Sequence, residues 1–273
     1  MKDLIIGCAT RYKWDNLKNW IKSINQCGFT GDKVLIVFES DSETVKAVEN
    51  EGFKVVPVNK TLDYKSNIPV HVERFVFIYH YLKKNEYRYV ITTDVKDVIF
   101  QTNPSEYLEK KLKKKKIVIG SESMLYKNEP WGDENLIQTF GRYIYNEFCE
   151  KEIFNVGTFG GEYKYIKDLV LTLFTMSTGR PIPIVDQAVF NYLMHSEPWS
   201  SINLRCRSED GWAAQLGTTG DPIKINNFKP HLLENTPDIS GDIVKTSTGL
   251  PFCIVHQYDR VPSLKQKIDK RYE

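Results

Sequence analysis

The sequence has few cysteines, and none of them are paired at a metal-binding spacing. Five cysteines are scattered over 273 residues, and no CxxC pair occurs. An odd number of distant thiols is a poor basis for a disulfide framework, and zinc sites usually draw on closely spaced ligands. We therefore expect reduced thiols, as in a cytoplasmic protein.

Long apolar runs and an excess of charge of one sign are also lacking. The apolar segment Leu4–Ala9 is too short and wrongly flanked for a signal peptide, and no run is long enough to span a membrane. The net charge is +2, so the overall charge does not favour nucleic acid as a partner. These absences predict a soluble, cytoplasmic protein with no transmembrane segment and no nucleic-acid partner.

Short apolar runs alternate with helical patterns at the start of the chain. Asp15 or Asn16 can cap the first helix, and Ser42 can cap the second. Strand-helix alternation favours parallel pairing in a doubly wound sheet. Without a repeat or a clear linker, we expect a single α/β domain over 1–273, with a mainly parallel central sheet flanked by helices. The first three predicted strands are Leu4–Ala9, Val34–Phe38 and Phe53–Val58.

The same kinds of pattern continue after a predicted loop at 59–69. Further strands are predicted at Tyr89–Thr93, Ile117–Gly120, Phe154–Gly161 and Phe252–Tyr258. Further helices are predicted at Val70–Leu82, Ser105–Lys116, Glu134–Phe148, Tyr163–Met176 and Asp186–Met194.

The most informative stretch is Tyr89–Pro104, which reads YVITTDVKDVIFQTNP. An apolar strand here delivers two carboxylates, Asp94 and Asp97, at its carboxyl end, where open α/β sheets place ligand sites. Two acidic oxygens in a turn can hold a divalent cation, which can in turn hold phosphate oxygens. The alternative is a solvated turn in which one Asp caps the following element.

Five segments, in chain order, resemble the nucleotide-sugar glycosyltransferases with the GT-A fold. The likeness covers roughly residues 4 to 260 and is nearest to an uncharacterised bacterial and viral branch. It implies a Rossmann-like GT-A fold, a nucleoside-diphosphate sugar donor, most often with uridine, and Mn²⁺ (or Mg²⁺) as cofactor. It also implies transfer of the sugar to a glycan or to another hydroxyl acceptor. The segments are TTDVKDVIFQTNP, FNVGTFGG, DQAVFNYL, GWAAQLGT and IVHQYDR.

The resemblance implies a metal site made of Asp94, Asp97 and His256. The usual family motif is Asp-x-Asp, whereas two residues separate the carboxylates here. Either both carboxylates reach the metal, or Asp97 alone binds it and Asp94 holds the ribose or a metal-bound water. His256 ends a late apolar strand, and an imidazole beside carboxylates suits manganese. The alternative is a structural histidine bonded to the backbone.

The resemblance also implies residues that contact the donor. Arg74 stands where related enzymes carry a basic donor-contacting residue, and Thr10 and Arg11 follow the first strand, where the family loop meets the nucleotide. For both arginines the alternative is an ordinary surface charge. The strand beside the donor sugar is expected to contribute Asn155, Gly157, Gly160 and Gly161.

Asp186 is the candidate catalytic residue, and Gln187 beside it is a candidate donor ligand. In the family, the acidic residue at this position faces the donor sugar and the acceptor. Asp is also a favoured helix cap, so capping is an alternative role for Asp186. Glu209 or Asp210 is a rival candidate for deprotonating the acceptor hydroxyl, although a polar turn is the simpler interpretation.

The remaining aromatic residues and histidines give weaker indications. Three tryptophans in polar segments can either stack on sugar rings or pack in the core: Trp131, Trp199 and Trp212. Four histidines are interpreted as structural: His71, His80, His195 and His231. Two alternative functions stay open at this point, a sugar-nucleotide-binding protein without turnover and a metal-dependent nucleotidyltransferase.

Overall fold

The computed structural model describes residues 1–58 and 68–273, so most of the predicted loop at 59–69 lies outside the described residues. The strands are β1 (Leu4–Thr10), β2 (Asp32–Glu39), β3 (Lys54–Pro57), β4 (Tyr89–Thr93), β5 (Val98–Phe100), β6 (Ile117–Leu125), β7 (Glu152–Glu162), β8 (Asn203–Cys206), β9 (Ala213–Gln215) and β10 (Ile254–His256). The helices are α1 (Trp14–Gln26), α2 (Ser42–Asn50), α3 (Val70–Lys84), α4 (Pro104–Lys111), α5 (Pro130–Phe148), α6 (Tyr163–Ser177), α7 (Asp186–His195), α8 (Trp199–Ile202), α9 (Leu216–Thr219), α10 (Ile225–Phe228) and α11 (Pro262–Arg271).

The main sheet has seven strands in the order β3-β2-β1-β4-β7-β6-β8. The first four strands of this order run parallel, as the early strand-helix alternation predicts. β7 is antiparallel to both of its neighbours, whereas β6 and β8 again pair in parallel. The prediction of a mainly parallel central sheet flanked by helices is confirmed.

A smaller sheet has the order β5-β10-β9, in which β10 is antiparallel to β5 and parallel to β9. The predicted strand Phe252–Tyr258 is therefore shorter in the structure. Two side chains tie this sheet to β7: Trp212 Nε1 donates to the carbonyl of Thr158 at 3.0 Å, and Gln215 Nε2 donates to its Oγ1 at 2.7 Å. These bonds hold the two sheets against each other.

The main sheet is covered on both faces, which explains why its strands are apolar throughout. Side chains alternate along a strand, so Leu4 and Ile6 pack with α3, α6 and α7, while Ile5 packs with α1, α2 and α4. All three side chains are fully buried. In the described ranges, no helix is both long enough and apolar enough to cross a membrane.

The predicted helix caps need correction. The N-cap of α1 is Lys13, and its backbone N–H donates to Asn16 Oδ1 at 3.1 Å, so the predicted cap residues lie inside the first turn. Asp41, rather than Ser42, caps α2 by accepting a hydrogen bond from the backbone N–H of Thr44. A carboxylate one residue earlier has the reach to satisfy a free N–H of the first turn.

Two other helix boundaries differ from the prediction by four residues or more. α5 begins at Pro130, four residues before the predicted Glu134, because the Glu129 carboxylate caps it by accepting from the N–H of Gly132. α4 ends at Lys111 rather than at Lys116, so the lysine-rich stretch lies mainly in the connection to β6. Neither change moves a residue that carries the predicted chemistry.

Candidate active site

The acidic turn after β4 is shaped by a buried valine. Asp94 continues the pairing with β7, since its N–H donates to the carbonyl of Gly157 at 2.9 Å. Val95 is 2% exposed and packs over Gly7, where a Cβ would lie 2.3 Å from Val95 Cγ1. Gly7 therefore makes room for Val95. With that side chain pointing inward, Asp94 and Asp97 both line one cavity.

The segment after β10 fixes the other side of the same turn. The N–H of Gln257 donates to the carbonyl of Asp97 at 2.7 Å, and the Tyr258 hydroxyl donates to the carbonyl of Lys96 at 3.2 Å. Gln257 has a left-handed φ of +57°, which turns the chain sharply after His256. The HQY sequence thus places His256 beside the two carboxylates.

Asp94, Asp97 and His256 form a cluster with the geometry of a metal site. Their ligand atoms all lie within 4.8 Å of one another, and His256 Nε2 is 3.6 Å from Asp94 Oδ2 and 3.7 Å from Asp97 Oδ2. β7 leaves space beside the cluster, because a Cβ on Gly157 would lie 2.7 Å from Asp94 Oδ2 and 3.0 Å from His256 Cε1. Two carboxylates and one imidazole fit a divalent cation such as Mn²⁺.

His256 is oriented by hydrogen bonds behind the cluster. Its Nδ1 lies 2.8 Å from Gln215 Oε1, while Gln215 Nε2 donates to Thr158 Oγ1. Because the amide of Gln215 is fixed in this way, Nδ1 carries the proton and Nε2 faces the carboxylates. Burial lowers the pKa of His256, but Asp97 and Asp94 outweigh this effect and raise it above its ordinary value.

Arg74 joins the metal cluster to Asp186. Its guanidinium donates to Asp94 Oδ1 and, at 3.1 Å, to Asp186 Oδ2. Burial raises the pKa of Asp186, although Arg74 opposes this effect. Burial acts on Asp94 in the same direction, but Arg74 and His256 outweigh it and hold the pKa of Asp94 well below its usual range. The N-cap of α7 is Val185, and Asp186 does not cap the helix. The Asp186 carboxylate, at the first residue of α7, thus faces the cavity and pairs with Arg74.

Asn155 and Gln187 have their amide orientations fixed by β7. Asn155 Oδ1 accepts from the N–H of Gly157 at 2.7 Å, and Gln187 Oε1 accepts from the N–H of Val156 at 2.9 Å. Their amide nitrogens both donate to Glu122 Oε1, at 2.8 and 3.1 Å respectively. Three polar side chains from β6, β7 and α7 thereby form one network in the wall of the cavity.

The cavity has a volume of about 700 Å³. The predicted catalytic residue and most of the predicted donor and metal ligands line it. They are Thr10, Arg74, Asp94, Asp97, Asn155, Gly157, Asp186, Gln187 and His256.

Three proposed donor ligands lie away from the cavity lining. Arg11 is exposed, and its Nε pairs with Glu39 Oε2 at 2.7 Å. Gly160 and Gly161 sit where β7 meets its neighbours, and a Cβ on Gly161 would lie 2.2 Å from the carbonyl oxygen of Lys116. In the structure, the glycine pair permits close strand pairing and Arg11 forms a surface ion pair.

The structure also bears on Glu209 and Asp210, the rival candidates for deprotonating the acceptor hydroxyl. Glu209 accepts hydrogen bonds from Ser247 and Thr248, and Asp210 accepts one from the N–H of Arg207. Both acids belong to a surface turn and do not line the cavity. The polar-turn interpretation therefore describes Glu209 and Asp210 better than the catalytic one.

Of the three candidate tryptophans, two lie in the core and one lines the cavity. Trp199 and Trp212 are buried in the core, whereas Trp131 is 49% exposed and lines the cavity. His71, interpreted as structural from the sequence, also lines the cavity and hydrogen-bonds to the carbonyl of Pro183. Trp131 is thus the tryptophan that remains available for a sugar ring.

Glu122 is the main residue that the sequence analysis missed. It follows the predicted strand Ile117–Gly120 in a segment without a motif, and it lines the cavity. A carboxylate close to the end of an apolar strand was the available signal, similar to the one that identified Asp94. Lys96, Lys224 and Arg260 add positive charge to the lining and were also missed.

No protein-family model matches the sequence, and no curated protein matches it. Solved structures do match. The galactosyltransferase LgtC, in complex with donor and acceptor sugar analogues, aligns with a TM-score of 0.53 at 14% identity, covering 93% of this chain and 86% of that chain. The glycosyltransferase GlyE of Streptococcus pneumoniae TIGR4 aligns with a TM-score of 0.52 at 12% identity, covering 94% of this chain and 54% of that chain. The chain has the GT-A fold.

The GT-A resemblance noted in the sequence is thereby confirmed at the level of the fold. A third match, glucosyl-3-phosphoglycerate synthase from Mycobacterium tuberculosis with Mn²⁺ and UDP, has a TM-score of 0.47 at 13% identity, covering 76% of this chain and 69% of that chain. At these identities the GT-A likeness defines the architecture, and the chemistry has to be argued from the residues of this chain.

Proposed function

We propose that this GT-A protein is a metal-dependent glycosyltransferase that moves a sugar from a nucleoside-diphosphate sugar to a hydroxyl group of a glycan or another acceptor. The observation that carries the proposal is the convergence of Asp94, Asp97 and His256 in a cavity that also contains Asp186. The donor is proposed to be a UDP-sugar because uridine is the commonest base in the family that the sequence resembles. The complex of LgtC with donor and acceptor sugar analogues supports the same class of ligands.

Asp94, Asp97 and His256 would hold Mn²⁺ or Mg²⁺. When bound, such a cation supplies electrostatic stabilisation of the charge that develops on a departing diphosphate. Lys96 and Arg260 line the same cavity and provide further positive charge for the phosphates. These two are better placed for that role than Arg74, whose guanidinium already pairs with two carboxylates.

Arg74 is then a positioning residue. By binding Asp94 and Asp186 at once, it fixes the distance between the metal cluster and the carboxylate proposed to face the donor sugar. Its side chain is 15% exposed, so the pairing is partly shielded from water and is stronger than a surface ion pair. The donor sugar would lie between Asp186 and the Asn155–Gln187 pair.

Trp131 provides a surface for a sugar ring at the mouth of the cavity. Its indole is half exposed, and Ile184, which is 46% exposed, lines the same opening. An aromatic face packs well against the C–H side of a sugar ring. Two exposed apolar side chains beside polar groups suit an acceptor that is itself a sugar.

The proposal is tested by ligand binding with a matched pair of variants. UDP-glucose, UDP-galactose and GDP-mannose are titrated by calorimetry with Mn²⁺ and, separately, with a chelator. We expect tight binding of one donor only with Mn²⁺, and its loss by at least tenfold in Asp97→Asn. The control is Asp259→Asn, which removes a carboxylate of the same cavity that lies outside the metal cluster.

Turnover distinguishes the proposed activity from its alternatives. Release of free nucleoside diphosphate from the bound donor indicates glycosyl transfer or donor hydrolysis. Release of pyrophosphate from a nucleoside triphosphate and a sugar phosphate would indicate a nucleotidyltransferase instead. Binding without either product would identify a sugar-nucleotide-binding protein. Equal donor affinity in Mn²⁺ and in chelator would contradict the metal site.

A further inference from the structure

Glu122 is a cavity carboxylate with one oxygen bound and, among the described residues, no partner for the other. Oε1 accepts hydrogen bonds from Asn155 Nδ2 and Gln187 Nε2. Within residues 1–58 and 68–273, Oε2 has no hydrogen-bond partner, yet it is not among the buried unpartnered atoms, so it keeps contact with the cavity. A carboxylate oxygen in this situation is an acceptor that lacks a donor.

The backbone around Glu122 is specialised. The pairing of β6 with β7 shifts register between Ser121 and Leu125, so Glu122 lies in an irregular part of the strand. Ser123 is fully buried and has a left-handed φ of +55°, which costs a non-glycine residue about 1 kcal/mol or more. The Ser121 hydroxyl and the N–H of Ser123 form a hydrogen bond that supports this conformation. Such backbone conformations concentrate at functional sites.

Anchoring the two amides does not by itself require a carboxyl group. A glutamine at position 122 has a carbonyl oxygen that accepts the same two hydrogen bonds, without the cost of burying a charge. What a carboxylate adds is the second acceptor oxygen, Oε2, facing the cavity. The chemical character of position 122 is therefore explained by a ligand that donates a hydrogen bond.

We propose that Glu122 binds a sugar hydroxyl group in this cavity, with Oε2 accepting its hydrogen bond. The inference rests on the proposed function, because that function is what places sugars in the cavity. The hydroxyl belongs either to the donor sugar or to the acceptor, and these two sources differ in which measurement depends on Glu122. Asn155 and Gln187 hold the carboxylate in place through its other oxygen, Oε1.

The charges around Glu122 are compatible with this role. Burial raises the pKa of Glu122 to about 7, Glu129 adds to the increase, and Asn155, His256 and Lys224 oppose it. The ionised form, which accepts through both oxygens, is therefore substantially populated at neutral pH. A hydroxyl that donates to Oε2 would favour this form further.

The test compares Glu122→Gln with Glu129→Gln. Glu122→Gln keeps the acceptor for both amides and replaces the free oxygen with a donor. Glu129→Gln removes a carboxylate from the same cavity lining. The Glu129 side chain is buried and accepts a hydrogen bond from the N–H of Gly132. In one arm, the affinities for UDP-glucose and UDP-galactose are each divided by the affinity for UDP in Mn²⁺. In the other arm, transfer to methyl β-galactoside and methyl α-glucoside is divided by donor hydrolysis.

We expect Glu122→Gln to lower one of these two ratios by about tenfold to a hundredfold, as the loss of a hydrogen bond to a charged group does. A fall in the first ratio assigns the hydroxyl to the donor sugar, and a fall in the second assigns it to the acceptor. Glu129→Gln should change neither ratio by more than about threefold. Unchanged ratios in Glu122→Gln, or equal losses in both variants, would overturn the inference.

A nucleotide-free measurement separates this inference from the proposed function. Ligand-observed NMR with the two methyl glycosides reports sugar binding without a donor. If the protein binds no nucleotide sugar but binds a methyl glycoside that Glu122→Gln releases, the proposed function fails and the inference stands. If nucleotide sugars bind and Glu122→Gln changes neither ratio, the inference fails and the proposed function stands. If neither kind of sugar binds, both proposals fail.

Discussion

At the scale of single residues, Glu122 couples stability to pH. Its pKa rises from 4.5 in the unfolded chain to about 7 in the fold, chiefly because of burial. The folded protein therefore holds the proton more tightly between those values, and stability falls as pH increases through this window. The shift corresponds to a loss of at most about 3 kcal/mol. Removing the charge should recover part of this loss.

We predict that Glu122→Gln stabilises the metal-free protein by about 1–3 kcal/mol at pH 8, and by little at pH 4.5. Urea unfolding of both proteins at the two pH values measures this difference. Glu129, His256 and Lys224 also carry charge near this position, but they are present in both proteins and largely cancel in the comparison. A stabilisation that does not depend on pH would contradict the assigned cause.

Asp186 allows a second prediction at this scale. Because it does not cap α7, its replacement costs the helix no cap, and Arg74 retains Asp94 as a partner. We predict that Asp186→Asn lowers sugar transfer about a hundredfold or more while the stability falls by only about 1–3 kcal/mol, because the amide oxygen can still accept from Arg74. Donor and Mn²⁺ affinities, measured by calorimetry, should stay within about threefold. Near-normal transfer would remove Asp186 from the chemistry and move the role to another carboxylate of the cavity lining, Glu122 among them.

At the scale of secondary-structure elements, β7 contains two glycines, Gly157 and Gly161, that make room for different neighbours. A Cβ on Gly157 would meet the side chains of Asp94 and His256, whereas a Cβ on Gly161 would lie 2.2 Å from the backbone carbonyl of Lys116. Side-chain ends can move aside, but a paired neighbouring strand cannot do so without losing its pairing. The two positions should therefore respond differently to the same added methyl group.

We predict that Gly157→Ala weakens Mn²⁺ binding by at least tenfold and leaves a folded protein. Gly161→Ala should instead destabilise the fold by several kcal/mol, in the range of overpacking mutations or above. Circular dichroism melting curves and Mn²⁺ titrations of both variants measure these effects. A Gly157→Ala protein with normal Mn²⁺ affinity would show that the space beside the cluster is not needed.

The elements also show which features could be predicted from the sequence. Asp94 and Asp97 were identifiable because they follow an apolar strand, and His256, at the end of another, was singled out with the help of the family resemblance; the topology brings these strand ends together. Glu122 stands near the end of an apolar strand as well, but whether its side chain faces the cavity depends on a register shift and on the left-handed Ser123, which no periodicity reveals. The partner of Arg11 is Glu39, 28 residues away, so its exposure depends on tertiary contacts that sequence spacing does not encode.

At the scale of the whole molecule, the metal cluster lies where the two sheets meet. Asp94 follows β4 of the main sheet, whereas Asp97 and His256 adjoin β5 and β10 of the small sheet. Other contacts join the sheets as well, including the bond from the N–H of Phe100 to Ser23 Oγ. We therefore propose that both sheets belong to one domain that unfolds in a single transition.

A cation bound by residues from both sheets should stabilise that whole unit. Binding to the native state alone contributes about 2.7 kcal/mol when the free cation is at a hundred times its Kd. With an unfolding entropy of about 2.1 cal/mol/K per residue, this corresponds to an increase in Tm of about 5 °C for a chain of 273 residues. We predict a single calorimetric transition that Mn²⁺ moves upward by this amount.

The variants for this prediction are His256→Ala and His231→Ala. His256→Ala removes a cluster ligand and should abolish the increase in Tm with Mn²⁺, while His231 is exposed and lies outside the cavity, so its variant should keep the full increase. Hydrogen exchange adds a spatial test, because Mn²⁺ should slow exchange both in the turn after β4 and in β10. Protection confined to one of these segments would mean that the cation is held by one sheet, and two separate transitions would mean that the sheets are not one domain.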